Sequence, residues 1–568
     1  MLFWEEKYFF MNEYKDKLID YGIPVILSLF LATLLQLPQL ANHVGLIGAD
    51  TVFHFSRFYD TAQQIQNHNF SYFQMNYGMC ETGRIVNAIY GPFFAYVLGA
   101  LLLVAGSWLR FQILLVYLLF VISGIGMYQL GIKLKMSRVV AMILASLFLL
   151  TGYIYYWIPS NSFNAWGAAL MPYVLMQGVA LFNAGKRRFN WINLALTMAI
   201  VGQVHLLSTL LAILVLIPFF IYGLLSTADK KRMWRDTVKA VILCLILTAN
   251  VWGAFLVLYP TNLMGAPLDF SPVLTALRLK SAGTITAWVQ IQEVIILLFA
   301  LQLIYVTLNY KKLKLNLFFT IEGTIFLFVS SDLFPWQFVQ QHYPAVSNYF
   351  QFPNRFTAIA YPLLFIGIGL TVKRLTEKYD FQFKFLVEAF LIIVCLFNFR
   401  ADFQETTQKV NDVKPNIERL NDFRDKNLTG IINKNHTGNP DYLPLKEKKN
   451  SWDIAGIVSE KLNKDNGYNK QAISGGRLKI EWQGDQDKQT ILPITIYNQS
   501  RLLVNGKKIN PKLNEIGMPI VQSKRGKNTA ILSFKTPAWF TILLYISILG
   551  WVVMLIYGVF RLVKIAKK

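Results

Sequence analysis

The chain is organised by long apolar runs separated by short polar breaks. Such runs cover residues 22–40, 91–109, 112–132, 139–158, 167–182, 191–205, 208–225, 238–258, 287–308, 315–330, 356–372, 385–399 and 539–560. A helix needs about 20 apolar residues to cross the hydrocarbon core of a bilayer. The pattern therefore predicts a polytopic α-helical membrane protein with roughly twelve to thirteen transmembrane helices. Basic clusters at Lys133/Lys135/Arg138, Lys186/Arg187/Arg188, Lys230/Lys231/Arg232/Arg235, Lys311/Lys312/Lys314, Lys373/Arg374/Lys378 and Arg561 to Lys568 alternate with basic-poor loops. The positive-inside rule places these clusters in the cytoplasm. The opposite loops, 42–90, 159–166, the turn at His205, 259–286 and 332–355, carry most of the polar chemistry. Parity leaves one conflict: with Asp50 outside, the 91–109 run does not fully cross, whereas with Asp50 inside every run crosses. The first run has charged flanks and no small-residue cleavage site, so it reads as an uncleaved anchor.

Beyond Phe399 the pattern changes. Period-two alternation appears in RLKIEW (477–482), ILPITIY (491–497) and NTAILSF (528–534), with an Asn505-Gly506 hairpin signal between strands. The expected organisation is a transmembrane module over 1–400, with a first outer loop at 42–90. A β-rich extracytoplasmic domain over 401–537 follows, then a last helix and basic cytoplasmic tail over 538–568.

Composition supports the membrane class: 54% of residues are hydrophobic and only 15% are charged, against about 25% in soluble chains. The formal net charge of +23 is spread in short clusters beside apolar runs, which is membrane topology rather than a nucleic-acid footprint. Three cysteines, Cys80, Cys244 and Cys395, give neither a disulfide framework nor a metal motif. No Walker loop or GxGxxG is present, which excludes nucleotide-driven chemistry on the usual phosphate-binding loops.

The densest polar stretch is GADTVFHFSRFYDTAQQI (48–65). On a helix Asp50, His54 and Arg57 share one face at i, i+4, i+7, with apolar side chains around most of the rest. This predicts a helix lying along the membrane surface with its apolar side down. Two readings of Asp50 stay open: an N-terminal cap facing water, or a carboxylate at the mouth of a membrane cavity that removes a proton from an incoming hydroxyl. Asp60, one turn on, reads as a surface residue.

This stretch, with NYGMCETGRIVNAIYGPFFAYVLGALL after it, resembles the first outer loop of GT-C-type membrane glycosyltransferases. It is most similar to YfhO-like proteins and to integral membrane proteins labelled 6-pyruvoyl-tetrahydropterin synthase-related, a label carrying no pterin chemistry. The resemblance continues through SGIGMYQLGIKL, VHLLST at His205, QFPNRF (351–356) and GNPDYLPL (438–445). Two departures stand out: PSNSFNAWGAALMP has Asn161 and Asn164 where a carboxylate is expected, and Asn354 replaces an aromatic residue.

The resemblance implies transfer of a sugar from a polyprenyl-phosphate carrier to an extracytoplasmic cell-envelope acceptor, a polymer or glycolipid, at the plasma membrane. In that scheme Asp50 is the general base and His54 orients it or meets the phosphate. Glu81 shares the site or holds a divalent cation, the one possible cofactor. Arg355 is the first choice for the carrier phosphate, with Arg57, Arg84, Arg278 and Lys280 behind it, and His205 stands at the outer turn. Implied partners are the lipid-linked donor, the acceptor, the bilayer, a carrier-charging enzyme and a flippase, with no nucleic acid. Trp452, Trp482 and Tyr497 in the β-rich region are core residues or sugar-stacking platforms. Glu293, beside Gln290 and Gln292, suggests a polar cavity wall. Together with Glu322 it keeps a rival open, a transporter or flippase for a lipid-linked precursor. A non-catalytic envelope scaffold is the third class.

Overall fold

The computed structural model describes residues 2–279, 291–426, 428–434, 438–463 and 467–566. Among these residues, eight helices are long and apolar enough to cross a membrane. They become nine if Lys230–Leu247 and Ala249–Leu258, bent by 65° where they meet, form one broken span. Pro92–Ala105, Trp191–Val204 and Glu293–Leu308 are shorter apolar helices. The chain thus has the make-up of a multi-pass helical membrane protein with a β-rich region before its last helix.

Full-length spans are fewer than the apolar runs suggest, and the causes are local. In the 91–109 run Gly106 turns left-handed (φ 68°) and its N–H closes the helix on Leu102 C=O. Ser107 then caps the next helix, accepting from the Arg110 N–H. What remains is a helix of 14 residues, about 21 Å long, against a hydrocarbon core of about 30 Å. It packs on Thr51–Gln66, where the Thr61 hydroxyl donates to Ala95 C=O at 2.8 Å.

Thr51–Gln66 corrects the surface-helix expectation. Twelve of its residues are buried, including His54, Arg57 and Asp60. Its charges point into protein because each has a partner there. The Asp60 carboxylate accepts from the Tyr77 and Gly78 N–H groups at 2.9 and 3.1 Å and from Gln64 at 2.7 Å. A carboxylate satisfied in this way is a buried anchor for the 76–78 turn, not a surface acid.

After the Phe381–Val413 helix come two short helices, Ile417–Arg424 and Thr429–Lys434, so the first part of the 401–537 region is helical. Its strands begin later. Strands β1 (Leu263–Met264) and β2 (Pro444–Leu445) pair with each other. Strands β3 (Asn469–Ile473), β4 (Arg477–Gly484), β6 (Ser500–Val504), β7 (Lys507–Ile509) and β10 (Gly526–Phe534) form an antiparallel sheet in the order β3-β4-β10-β6-β7. Strands β5 (Lys488–Ile491), β8 (Lys512–Leu513) and β9 (Pro519–Ser523) form a second, in the order β5-β9-β8. Leu478, Ile480, Trp482, Leu502, Val521, Ala530 and Leu532 make the core of this region, so Trp482 is a core residue.

The Asn505-Gly506 turn has both residues at positive φ (49° and 80°), as a two-residue hairpin of this type requires. ILPITIY, read as a strand, leaves the sheet after Ile491. Pro493 has no N–H to give a ladder, and Thr495 N–H instead reaches Thr82 C=O in the first loop at 2.8 Å.

Candidate functional site

A cavity of about 1040 Å³ lies where the helical module meets the segment before the β-strands. Its wall collects residues far apart in sequence: Asp50, His54, Tyr90, His205, Arg355 and Asp441. Four of these are expected site residues, and the structure brings them together.

Asp50 sits at the N-cap position of Thr51–Gln66, yet its side chain makes no cap hydrogen bond. The polar work at this helix start falls to Thr51, whose hydroxyl accepts from Gly48 N–H at 2.8 Å and donates to Asn161 Oδ1 at 2.8 Å. The Asp50 carboxyl is left facing the cavity. Burial raises its pKa, against the pull of Arg355 and a hydrogen bond from Ser162. Asn161, found where a carboxylate was expected, also accepts from Gln112 at 2.9 Å. It is a fastening for the Asp50 loop rather than a reacting group. Asn164 lines the cavity.

His54 and Arg57 act as a pair. The Arg57 Nη1 lies 3.0 Å from His54 Nδ1. A guanidinium only donates, so the imidazole is neutral and carries its proton on Nε2. Burial, with Arg57 and His205 beside it, holds the His54 pKa well below its usual range. The ring stacks on Phe163 at 4.5 Å. Arg57 itself is buried behind the wall. It donates to Asn87 Oδ1 at 3.0 Å and to Tyr90 C=O, and its guanidinium lies 4.4 Å from the Tyr90 ring centre. It orients His54 and Tyr90 and is not placed to meet a substrate.

Arg355 enters from the turn before the Thr357–Lys378 helix. Its Nη1 donates to Phe350 C=O at 2.8 Å and its Nη2 to Gln351 at 3.3 Å, with its plane 4.7 Å from the Phe352 ring centre. Its Nε is buried with no hydrogen-bond partner among the described residues. Asn354 accepts from the hydroxyl of Tyr153, another wall residue, at 2.9 Å. That bond gives Asn354 an acceptor role that a phenylalanine or tryptophan side chain could not fill.

Asp441 is the residue that sequence reading missed. It lies in the GNPDYLPL segment, noted only for its resemblance, almost four hundred positions from Asp50. Burial pushes its pKa up to about 6, with Arg84 pulling down and Asp50 pushing up, and its Oδ1 has no hydrogen-bond partner among the described residues. Arg84 donates to the Asp441 backbone C=O, so Arg84 positions this acid from behind rather than lining the cavity.

The remaining expectations fall elsewhere. Glu81 is not on the cavity wall. It stands in a turn with Met79 and Cys80 at positive φ (50°, 57° and 53° for 79–81). Burial raises it to about 7 against the nearby Lys470, so it faces the β-strand region and does not share a site with Asp50. Arg278 is half-buried and also off the wall. Lys280 and Gln290 lie outside the described residues. Glu293 is exposed and lines no part of this cavity, and Glu322 is buried away from it. Among the described residues, no group of three or more His, Cys, Asp or Glu side chains could hold a metal ion.

The roof is stitched from two segments. β1 pairs with β2, and Trp452 Nε1 donates to Asp269 C=O at 2.8 Å. One side of the cavity is apolar. Leu206, Leu207, Leu210, Phe255 and Tyr259 line it, and Leu206, Leu210 and Tyr259 are also exposed on the outer surface of the helices. The arrangement can hold an anionic head beside Arg355, a hydroxyl beside Asp50, and an apolar chain along the leucines.

Neither a family model, nor a curated protein, nor a solved structure matches the chain.

Proposed function

We propose that the protein is a membrane glycosyltransferase of the GT-C type that moves a sugar from a polyprenyl-phosphate carrier to an extracytoplasmic cell-envelope acceptor. The observation that carries this reading is the uncapped Asp50 carboxyl, set in one cavity with the unsatisfied Nε of Arg355. A lipid-linked phosphosugar brings a greasy chain, an anion and a reactive anomeric carbon. The leucine-lined side, Arg355 and Asp50 suit these three parts in turn.

In this reaction Asp50 takes the proton of the acceptor hydroxyl as its oxygen attacks C1 of the sugar, and the C1–O bond to the phosphate breaks. The phosphate leaves with the bonding pair, its charge met by Arg355. Attack from the face opposite the phosphate inverts the anomeric centre. His54 offers only its Nε2–H, so it serves as a donor to the sugar or phosphate and not as the base. Asp441, near Asp50, keeps part of the wall anionic and suits recognition of sugar hydroxyls.

The topology of this reading places Asp50 and the β-strand region outside the cell, with the short Pro92–Ala105 helix not crossing. The other short apolar helices then bring the crossing number near the expected twelve. A carrier-charging enzyme on the cytoplasmic side and a flippase would supply the donor.

The test compares envelope glycans from cells carrying the wild type, a deletion and Asp50→Asn, with protein levels matched. Loss of the same sugar modification in both mutants supports the reading. Full modification with Asp50→Asn removes the base. Accumulation of the lipid-linked precursor on the inner leaflet favours the flippase alternative instead.

A further inference from the structure

The outward face of the five-stranded sheet carries a charge pattern that the cavity chemistry does not use. Side chains alternate across a strand. Since Leu478, Ile480, Leu502, Ala530 and Leu532 point into the core, Arg477, Lys479 and Glu481 of β4, Arg501 of β6, Lys508 of β7 and Lys527 of β10 point out. The strand register places them on one grid. Lys508 faces Leu503, Leu503 faces Ile531, Ile531 faces Lys479, and Lys479 faces Gln471. At about 4.8 Å per strand, Lys508 and Lys479 are about 14 Å apart along that row.

The lone acid on this face does not neutralise it. Glu481 is already shared between Lys479 at 3.0 Å and Lys527 at 2.9 Å. Arg501, Lys508 and Lys527 are exposed, and Arg477 and Lys479 are half-buried. Between the cations stand Asn469, Gln471, Gln483, Thr529 and Ser533, groups that hydrogen-bond hydroxyls and phosphate oxygens.

We propose that this sheet face binds a polyanionic polymer, a chain of phosphodiester or carboxylate repeats, and holds it as the acceptor of the transferred sugar. The acceptor role rests on the glycosyltransferase reading; the binding itself does not. A bilayer surface is the other anionic partner such a face could meet. Membrane-docking surfaces anchor with exposed aromatic or aliphatic side chains among their cations. Here the apolar outward residues, Ile473, Leu503 and Ile531, are all half-buried within the sheet, and amides and hydroxyls occupy the remaining places. That composition suits a hydrated polymer.

The experiment uses the full chain in nanodiscs of zwitterionic lipid, with inorganic polyphosphate as the probe. Wild type is expected to bind with an affinity that falls steeply as salt rises. R477S/K479T/R501S/K508T is expected to weaken binding by about tenfold or more, as removal of several phosphate contacts does. The charge-preserving R477K/K479R/R501K/K508R is expected to bind like wild type, which separates lost charge from lost fold. Equal binding by all three proteins overturns the proposal, and so does loss in both quadruple variants. Retained polyphosphate binding with lost adhesion to phosphatidylglycerol vesicles overturns it in favour of a lipid surface. Asp50→Asn is expected to bind polyphosphate normally, so a failure of the base assignment and a failure of the polymer face give different results.

Discussion

The hydroxyl of Tyr90 lies 3.0 Å from Nε2 of His205. Ser208 N–H approaches Nδ1 of the same ring at 3.3 Å, and a backbone N–H only donates. The ring proton therefore sits on Nε2 and is given to Tyr90, which frees the phenol proton for the cavity that both residues line. Tyr90→Phe is expected to raise KM for the lipid donor about tenfold, the worth of one lost hydrogen bond. His205→Ala is expected to add little in the Tyr90→Phe background, because the histidine acts through the phenol. A double-mutant cycle on initial rates checks both statements.

The pH profile should carry the mark of paired carboxylates. Burial raises the pKa of Asp50, and a base works only when deprotonated, so activity is expected to climb with pH through a limb above the ordinary aspartate value of about 3.9. Burial, with the charge of Asp50 beside it, pushes Asp441 up to about 6; the interaction is mutual, so ionised Asp441 opposes ionisation of Asp50. Asp441→Asn removes that charge and should move the acid limb to lower pH. Rate measurements from pH 4 to 8 on both proteins decide it.

Arg355 is expected to govern donor binding. Arg355→Gln should weaken affinity for a polyprenyl phosphate roughly ten- to hundredfold, the range for a charged hydrogen bond in a buried site, and Arg355→Lys should recover part of it. Binding of the phosphate carrier without sugar is the clean readout, since no reaction follows.

Gly48 sets the position of the Asp50 loop. A Cβ there would lie 2.2 Å from Ser160 C=O and 2.3 Å from Ser160 Cα, a collision with backbone that no rotamer relieves. Gly48→Ala should cost about 1–3 kcal/mol of stability and displace Asp50 from Ser162. A lowered thermal midpoint together with a loss of rate larger than that of a remote destabilising variant would show the displacement.

Asp60 gives a stability signature distinct from catalysis. Burial raises its pKa to about 6, against hydrogen bonds from Tyr77, Gly78 and Gln64, while the unfolded chain titrates near 3.9. Between about pH 4 and 6 the folded state thus binds more protons than the unfolded state, so this group makes stability fall as pH rises through that window. Asp60→Asn should flatten that part of the curve, measured as thermal midpoint against pH in detergent.

The apolar runs and the alternation in RLKIEW and NTAILSF were enough to read a helical membrane class and a late β-rich region. Asp50, His54, His205 and Arg355 were legible because acids, imidazoles and guanidinia beside apolar runs are costly and draw the eye. Other features were hidden for physical reasons. Thr51–Gln66 looks like a surface helix from its charges, and only the three-dimensional partners of Arg57 and Asp60 show why it is buried. The 91–109 run looks continuous because Gly106 reads as small and apolar, while its left-handed backbone ends the helix. Asp441 comes to the cavity through the pairing of β1 with β2, a contact no local pattern encodes. Cys80 in the first loop is a poor reporter of sidedness: burial pushes its thiol pKa up to about 11, and the thiolate is what labels. A cysteine at the exposed Asn67 position, in a Cys80→Ser background, serves better.

The central claim is that the Asp50 carboxylate removes the acceptor proton inside this cavity. Proteoliposomes of wild type and Asp50→Asn, given a lipid extract with radiolabelled polyprenyl-phosphate sugars and a cell-envelope acceptor fraction, test it directly. The expected result is label transfer by wild type and a rate at least about a hundredfold lower for Asp50→Asn, with carrier binding retained. Equal transfer by the two proteins would contradict the account.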